Sequence, residues 1–292
     1  METYLMAFQD AFVGAATWTW RSMCFEVPWY TNYFWGLVLI SLLVWMLEIL
    51  LPWRKEQGII RKDFWLDLGY VFFNFFVFSI IISGFYRVLE LFFKDLGITM
   101  QSIAIIDIAL LPSWASLLIF FILLDFVQWC THLMLHSYGF LWKFHKVHHS
   151  VKQMGFAAHL RYHWMENILY KPLKTIGVML LGGFEPEQAF IVHFVAIGIG
   201  HLNHANIKLS WGVLKYILNS PVMHLYHHAK MYPKENPRGV NFGISLSIWD
   251  YIFRTNYVPE DSGQIELGFP KDQSFPKSFL GQQLYGFQRN QK

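Results

Sequence analysis

Residues 114–136 read WASLLIFFILLDFVQWCTHLMLH, an apolar run that ends in a pair of histidines. A helix rising about 1.5 Å per residue needs about 20 such residues to cross the hydrocarbon layer of a bilayer. The run therefore predicts a membrane-spanning helix. His132 and His136 are four residues apart, so they share one helix face near the end of this span. Histidine is the commonest metal-ligating side chain, so the sequence predicts metal ligands at a membrane surface.

The rest of the chain is also apolar, with 54% hydrophobic and 15% charged residues, whereas soluble proteins average about 25% charged. Residues 36–51, flanked by Trp35 and Trp53, and residues 68–93 predict two further spans. Residues 176–200 form a fourth apolar stretch, which Glu185, Pro186 and Glu187 interrupt, and we expect a re-entrant or short hairpin there. The predicted fold class is an all-α integral membrane protein with about three transmembrane helices, this hairpin and a cytoplasmic histidine-rich helical cap.

The distribution of basic residues predicts the orientation and the domains. The loop between the first two spans carries four basic residues, the next loop carries only Lys94, and the region after His136 is again basic. Because positive charge marks the cytoplasmic side, we expect the first loop and everything after His136 to lie in the cytoplasm, at a bacterial inner membrane or the endoplasmic reticulum. We expect an N-terminal segment over residues 1–30, a membrane-embedded domain over 31–257 and a cytoplasmic tail over 258–292.

Charge and cysteine content exclude some classes of partner and site. The net charge is only +3 and the basic residues form no long run, so a nucleic-acid partner is not expected. Cys24 and Cys130 are far apart, so they predict neither a disulfide framework nor a CxxC metal site. No HExxH motif occurs, which excludes the zinc hydrolases that carry it.

All thirteen histidines lie between His132 and His228, and their spacing indicates metal binding. After the HxxxH pair come two HxxHH triplets, at 145–149 and 224–228, and between the triplets lies the pair His201 and His204. Three- and four-residue spacings keep rings on one helix face. The histidines of these motifs are numerous enough to bind two metals with four or five ligands each. Asp125, seven residues before His132, is predicted to accept a hydrogen bond from a ligand ring. A lone histidine such as His193 is more typical of an ordinary interfacial side chain, and copper remains chemically possible at such a site.

The motifs as a set resemble the fatty acid hydroxylase/sterol desaturase superfamily over residues 68–257. They are DFVQWCTHLMLH, FHKVHHS, RYHWME, NHANI, PVMHLYHH and NFGISLSIWDYIFRT, in that order. The chain departs from the family pattern at Trp164, Phe242 and Arg254. The resemblance implies that the metal ligands are His132, His136, His145, His148, His149, His204, His224, His227 and His228, with His201 as a tenth candidate.

The same resemblance implies the chemistry. It implies two iron ions that activate dioxygen as co-substrate, and it suggests roles around the ligands for Asp125, Arg161, His163, Glu166 and Asp250. The substrate would be a long-chain membrane lipid, which the enzyme hydroxylates. Since the chain has no CxxC pair and no GxGxxG fingerprint, we expect a separate electron donor that is cytochrome b5-, ferredoxin- or reductase-like.

Two alternatives stay open at this point. A lipid desaturase or an alkylglycerol-type ether-lipid monooxygenase would use the same metal site with a different outcome. A histidine-rich metal transporter is a remote alternative, because a transporter needs ionisable residues along its spans. Here the histidines gather at one interface.

Overall fold

The computed structural model describes residues 3–183, 186–259 and 265–288. The first half of the chain consists mainly of long helices, and three of them coincide with the predicted spans. Tyr33–Leu50, Phe64–Asp95 and Ser113–Ser137 are long and apolar enough to cross a membrane. The second of these is interrupted by a π-helical segment, Phe73–Val77. In chain order the helices are α1 (Tyr4–Met23), α2 (Tyr33–Leu50), α3 (Phe64–Phe72), α4 (Phe78–Asp95), α5 (Met100–Ile103) and α6 (Ser113–Ser137).

Helix α1 lies in the segment that the sequence left without a structural assignment, and it packs along α4. The close approach depends on Gly84, where a Cβ atom would strike the ring of Phe8. Phe8 also meets Phe85 edge to face, with ring centroids 5.2 Å apart. Helix α1 is therefore part of the helical bundle.

The second half of the chain consists of shorter helices that carry most of the histidines. These are α7 (Gly139–His149), α8 (Trp164–Met179), α9 (Pro186–His204), α10 (Pro221–His227), α11 (Ile248–Ile252) and α12 (Phe279–Tyr285). Short 3-10 helices lie at Trp29–Thr31, Phe156–Leu160, Gly212–Tyr216 and Asp272–Ser274. Two short strands, β1 (Ile106–Asp107) and β2 (Leu181–Gly182), pair in parallel.

Helix α8 ends at Met179 and α9 begins at Pro186, so the stretch 176–200 is broken where the sequence predicts a turn, but only the last four residues of α8 belong to that stretch. Both helices pack against α6, and Gly177 permits the close approach of α8, because a Cβ atom there would lie 2.8 Å from Val127. Of the predicted turn, Glu185 lies outside the described residues. Whether the hairpin enters the membrane stays a prediction.

The C-terminal residues 265–288 fold onto the histidine-bearing region. Tyr70 on α3 donates a hydrogen bond of 2.9 Å to Gln282 on α12, and Lys152 forms an ion pair with Asp272. Phe269, Phe275 and Tyr285 are buried against Tyr70 in one apolar cluster. The C-terminal segment thus covers the end of the bundle at which α3 and α7 meet.

The loop between the first two spans packs against the same end. The backbone N–H of Trp53 donates to Asn206 at 2.9 Å, and Gln57 donates to the Met154 carbonyl at 2.6 Å. Asp67 is buried between Arg61 and Arg161. The first loop and the histidine-bearing segments therefore lie at one end of the bundle.

Candidate metal centre

The structure gathers nine of the predicted ligands into two buried groups, within each of which the potential ligand atoms lie within 4.8 Å of one another. Group one contains five histidines and group two contains four. Group one is His132, His136, His145, His149 and His227, and group two is His148, His204, His224 and His228. The groups are neighbours, because the rings of His149 and His228 stack with centroids 4.4 Å apart.

Helix geometry explains how each HxxHH triplet serves both groups. Residues four apart on a helix differ by about 40° around its axis, whereas adjacent residues differ by about 100°. In α7, His145 and His149 accordingly join group one, while His148 turns towards group two. The second triplet does the reverse, because His224 and His228 join group two and His227 joins group one. Each triplet thus gives two histidines to one group and one histidine to the other.

Backbone carbonyls fix most ligand rings through Nδ1. A carbonyl oxygen only accepts hydrogen bonds, so an Nδ1 atom beside one must carry the hydrogen and leave a lone pair on Nε2. The contacts are His132 to Phe242 (2.7 Å), His136 to Arg238 (3.0 Å), His227 to Val240 (2.8 Å), His148 to Arg161 (3.1 Å) and His204 to Gly200 (2.7 Å). His145 Nδ1 instead lies 3.0 Å from a carboxylate oxygen of Glu166.

The Nε2 atoms of group one fit a metal ion. In the described part of the chain, Nε2 of His132, His136, His145 and His227 is buried and has no hydrogen-bond partner, and neither ring nitrogen of His149 has one. A buried polar atom without a partner costs about 1–3 kcal/mol. Converging lone pairs of this kind are the donor set that imidazole-binding metals require.

Group two fits a metal ion for a second reason. His148 and His204 both present an Nε2 lone pair, yet these atoms lie only 3.3 Å apart. Two lone pairs cannot form a hydrogen bond with each other. Nitrogens bound about 2.1 Å from a common metal at tetrahedral or octahedral angles would lie roughly 3.0–3.4 Å apart, and the next Nε2 pair, His204 and His224, is 2.9 Å apart. The spacing matches a shared cation.

Burial keeps the imidazoles neutral, as metal binding demands. It lowers the pKa of His148 to about 3, and it lowers the pKa of His149 and His228 well below the usual value, with neighbouring histidines adding to the effect. Burial also raises the pKa of Glu166 to about 8. A cation bound to His145 would oppose that shift by stabilising the carboxylate.

Asp250 acts on His132 through the backbone of Phe242. Its carboxylate accepts hydrogen bonds from the backbone N–H groups of Phe242 and Gly243, each at 2.8 Å, and from the indole of Trp129 at 3.0 Å. Phe242 supplies the carbonyl that accepts from His132. Asp250 therefore orients His132 by holding this peptide.

Asp125 differs from its predicted role. The Phe242 carbonyl occupies the position beside His132 at which this carboxylate was expected. Asp125 accepts instead from the backbone N–H of Ser245, from that of Leu246 and from the indole of Trp249, at 2.9–3.3 Å. A buried carboxylate is stable only when several donors satisfy it. Because all three donors come from residues 245–249, Asp125 anchors the segment that follows Phe242.

The remaining predicted residues are placed as follows. Arg161 offers its carbonyl to His148, and its guanidinium lies 3.3 Å from Asp67. His163 lies outside both groups and bonds the Gln283 carbonyl at 2.7 Å, which ties it to the C-terminal segment. His201 also lies outside both groups, with Nε2 3.1 Å from Ser41 and Nδ1 2.7 Å from His159. Both ring nitrogens of His201 thus have partners other than a metal.

The loop at 238–242 supplies three of the carbonyl acceptors and was not among the predicted site residues. Its path requires a positive φ of 133° at Gly239 and of 54° at Asn241, values that glycine and asparagine tolerate best. A Cβ atom at Gly239 would lie 3.0 Å from Nδ1 of His136. The signal in the sequence was the Gly-Val-Asn stretch, but backbone acceptors leave no side-chain trace.

A cavity of about 790 Å³ adjoins both histidine groups. His132, His145, His148 and His204 line it, and its other walls include Gly14 and Trp18 of α1, Tyr33 of α2, and Phe75 and Phe76 of the π-helical segment. Its volume is in the range of small-molecule sites, about 300–1,000 Å³. The arrangement defines a class: a helical protein with three helices long and apolar enough to cross a membrane, and with two buried histidine groups that could hold metal ions beside a largely apolar cavity.

Comparison with known proteins agrees with this class. Residues 117–255, just under half of the chain, match the model of the fatty acid hydroxylase family. An ornithine lipid hydroxylase of Rhizobium tropici is 30% identical over 168 residues, which are 58% of this chain and 49% of that protein. An alkylglycerol monooxygenase of Danio rerio is 27% identical over 251 residues, which are 80% of this chain and 49% of that protein.

An alkylglycerol monooxygenase of Caenorhabditis elegans is 28% identical over 134 residues, which are 45% of this chain and 25% of that protein. The chain therefore spans about half or less of the length of these relatives. No solved structure matches it.

Proposed function

We propose that this protein is a membrane-bound, dioxygen-dependent diiron oxidoreductase that hydroxylates a long-chain lipid. The observation that supports the proposal is the presence of two histidine groups, one of five and one of four residues, that border one largely apolar cavity. Imidazole ligands suit iron among other metals, and the match of residues 117–255 to the fatty acid hydroxylase family favours iron over the alternatives. His201 is left out of the proposed ligand set.

Two iron ions bound by these groups would supply the activation of dioxygen for attack on a C–H bond. The chain's own residues prepare the site for it. The carbonyls of Phe242, Arg238 and Val240 hold three group-one rings with Nε2 inward, and Glu166 provides a nearby negative charge. Such orienting partners around the ligands commonly raise metal affinity by 10- to 100-fold.

The cavity wall suits an acyl or alkyl chain. Phe34, Phe75, Phe76, Leu160 and Ile197 line it, and burial of a methylene group against such walls contributes about 0.8 kcal/mol. An apolar chain that displaces water would bring a C–H bond to the histidine end of the cavity. We infer that this cavity contributes to the reaction mainly by binding the acyl or alkyl chain of the lipid and by excluding water.

The relatives favour one alternative outcome. The match to an alkylglycerol monooxygenase extends over 80% of this chain, against 58% for the ornithine lipid hydroxylase. An ether-lipid monooxygenase is therefore the second candidate, and it would use the same metal centre and cavity. A desaturase remains distinguishable from both by its product.

We further propose that the metal centre faces the cytoplasm and receives electrons from a separate protein. The basic loop between the first two spans contacts Met154 and Asn206 beside the histidine groups. This contact supports one common side for both regions, and positive charge marks the cytoplasmic side. Arg238 is exposed while its carbonyl contacts His136, which gives a short path from the surface to group one.

The test combines metal analysis with lipid mass spectrometry. Purified protein should contain about two iron ions per chain, and His148→Ala and His227→Ala should each lower that content by removing a ligand from a different group. Lipids from cells with and without the gene are compared: a gain of one oxygen atom means hydroxylation, and a loss of two hydrogens means desaturation. Full activity after complete removal of iron would contradict the proposal, and labelling of Lys152 only from the outer side would overturn the orientation.

A further inference from the structure

His201 was a predicted ligand, but it forms the middle of a hydrogen-bonded chain. Ser41 Oγ lies 3.1 Å from His201 Nε2, and His201 Nδ1 lies 2.7 Å from His159 Nδ1. His201 is fully buried. A neutral imidazole has one donor and one acceptor nitrogen, so the hydrogen bonds run either from Ser41 to His159 or in the opposite direction. In both cases His201 fixes the tautomer and the ring position of His159.

The chain ends beside group two. The ring centroid of His159 is 5.1 Å from that of His204, a group-two ligand, and the planes are tilted by 34°. His159 lies against Gly200, where a Cβ atom would collide with its ring. The carbonyl of Gly200 is also the acceptor for His204 Nδ1, at 2.7 Å. One turn of α9 therefore carries a ligand, the group that orients the ligand and the residue that holds His159.

His159 differs from the ligands in its exposure to the cavity. It lines the cavity together with His148 and His204 and is only partly buried, whereas those two ligands are buried. A ring in this position meets whatever occupies the cavity next to group two. Its polar edge is held in a mostly apolar wall, which is how ligand sites fix orientation.

We propose that His159 is a substrate-orienting residue, which hydrogen-bonds a polar group of the lipid next to the oxidised carbon and is held in place by His201 and Ser41. The proposal rests on the proposed function, because it presumes that a lipid enters the cavity. It assigns His201 a positioning role in place of the ligand role that its spacing predicted. It also assigns a function to Ser41, a polar residue in the membrane span α2.

The experiment uses the whole chain and measures three quantities: the iron content, the binding of lipid, and the coupling, which is the amount of product formed per oxygen consumed. The variants are His159→Ala, His201→Leu and Ser41→Ala, with His204→Ala as the ligand control. Ser83→Ala is the matched control for Ser41→Ala, because the Ser83 hydroxyl bonds only carbonyls of Ile80 and Ala11 in the described contacts. Binding is measured without oxygen, with an ornithine lipid and an alkylglycerol in detergent micelles as probes.

We expect His159→Ala to keep the iron content of the wild type but to bind the preferred probe about three- to tenfold more weakly, the range for one lost hydrogen bond. In turnover it should consume several times more oxygen per product and oxidise more than one position of the chain. His201→Leu and Ser41→Ala should shift coupling in the same direction, and His159→Ala combined with His201→Leu should be no worse than His159→Ala alone.

Two results would overturn the proposal. One is a fall in iron content for His159→Ala or His201→Leu to the level of His204→Ala, which would make these residues ligands. The other is wild-type probe binding and coupling in His159→Ala. If the wild type bound no iron and formed no product, the proposed function would fail by itself, and oxygen-free probe binding would still decide whether His159 contacts a lipid.

Discussion

Replacing Glu166 by alanine should weaken one metal site and spare the other. Glu166 accepts from Nδ1 of His145 at 3.0 Å, and both side chains are only 3% exposed. Without the carboxylate, the His145 N–H becomes a buried donor without a partner, at a cost of about 1–3 kcal/mol. Loss of such an orienting partner typically lowers metal affinity by about 10- to 100-fold. Because His145 belongs to group one, the loss should fall on a single iron.

The assay is a titration of iron-depleted protein against a competing chelator, which reports the two affinities separately. Wild-type protein should bind two iron ions tightly, and Glu166→Ala should bind one tightly and one about 10- to 100-fold more weakly. Glu166→Gln keeps a carbonyl oxygen that can accept from His145, so it should lose about tenfold or less. The matched control is Glu90→Ala, since Glu90 is exposed and pairs only with Arg87 in the described contacts. Wild-type affinity at both sites in a folded Glu166→Ala variant would refute the reasoning.

Three further predictions follow from the surrounding structure. Asp125→Ala leaves three donors of residues 245–249 without an acceptor, so it should lower the free energy of unfolding by about 2 kcal/mol or more; denaturant unfolding in detergent measures this, and unchanged stability would contradict it. Gly239→Ala places a Cβ atom against Nδ1 of His136 at a φ of 133°, so chelator competition should show about tenfold weaker iron binding in group one, and equal affinity would disprove the steric argument. Gly14→Phe enters open space, since nothing lies within 4 Å of its Cβ position on the cavity wall. The variant should prefer a lipid with a shorter acyl or alkyl chain. Product analysis over a series of lipids of different chain length would detect this shift, and an unchanged preference would show that the lipid chain does not reach α1.

Local patterns predicted the three long apolar helices and most of the histidines that gather in the two buried groups. The three spans follow from apolar length alone, since a helix satisfies its own backbone hydrogen bonds in lipid. The HxxHH triplets identified both histidine clusters because helix periodicity is a local property. Their division was not predicted: His145 and His148 were expected on one face, yet they contribute to different groups. A difference of about 60° around a helix axis is enough to aim two rings at two centres when the centres are adjacent.

Partners distant in sequence escaped prediction. His201 has the same spacing to His204 as a ligand pair would, but Ser41 and His159 occupy its nitrogens. Asp125 lies on the face of His132, but residues more than a hundred positions later supply its donors. Helix α1 contributes a wall of the cavity through Gly14 and Trp18, which nothing in its own sequence indicated.

The sequence by itself determined that this chain has three apolar helices long enough to cross a membrane and enough histidines for two metal sites, because hydrophobic length and helical spacing are properties of contiguous residues. Only the tertiary structure decided which imidazoles share a group, which carbonyl or carboxylate orients each ring, and that His159 and His201 lie beside the two histidine groups. Those outcomes depend on the packing of α2, α6, α7, α9 and α10 against one another. They also depend on backbone carbonyls, which every residue has and no sequence pattern distinguishes.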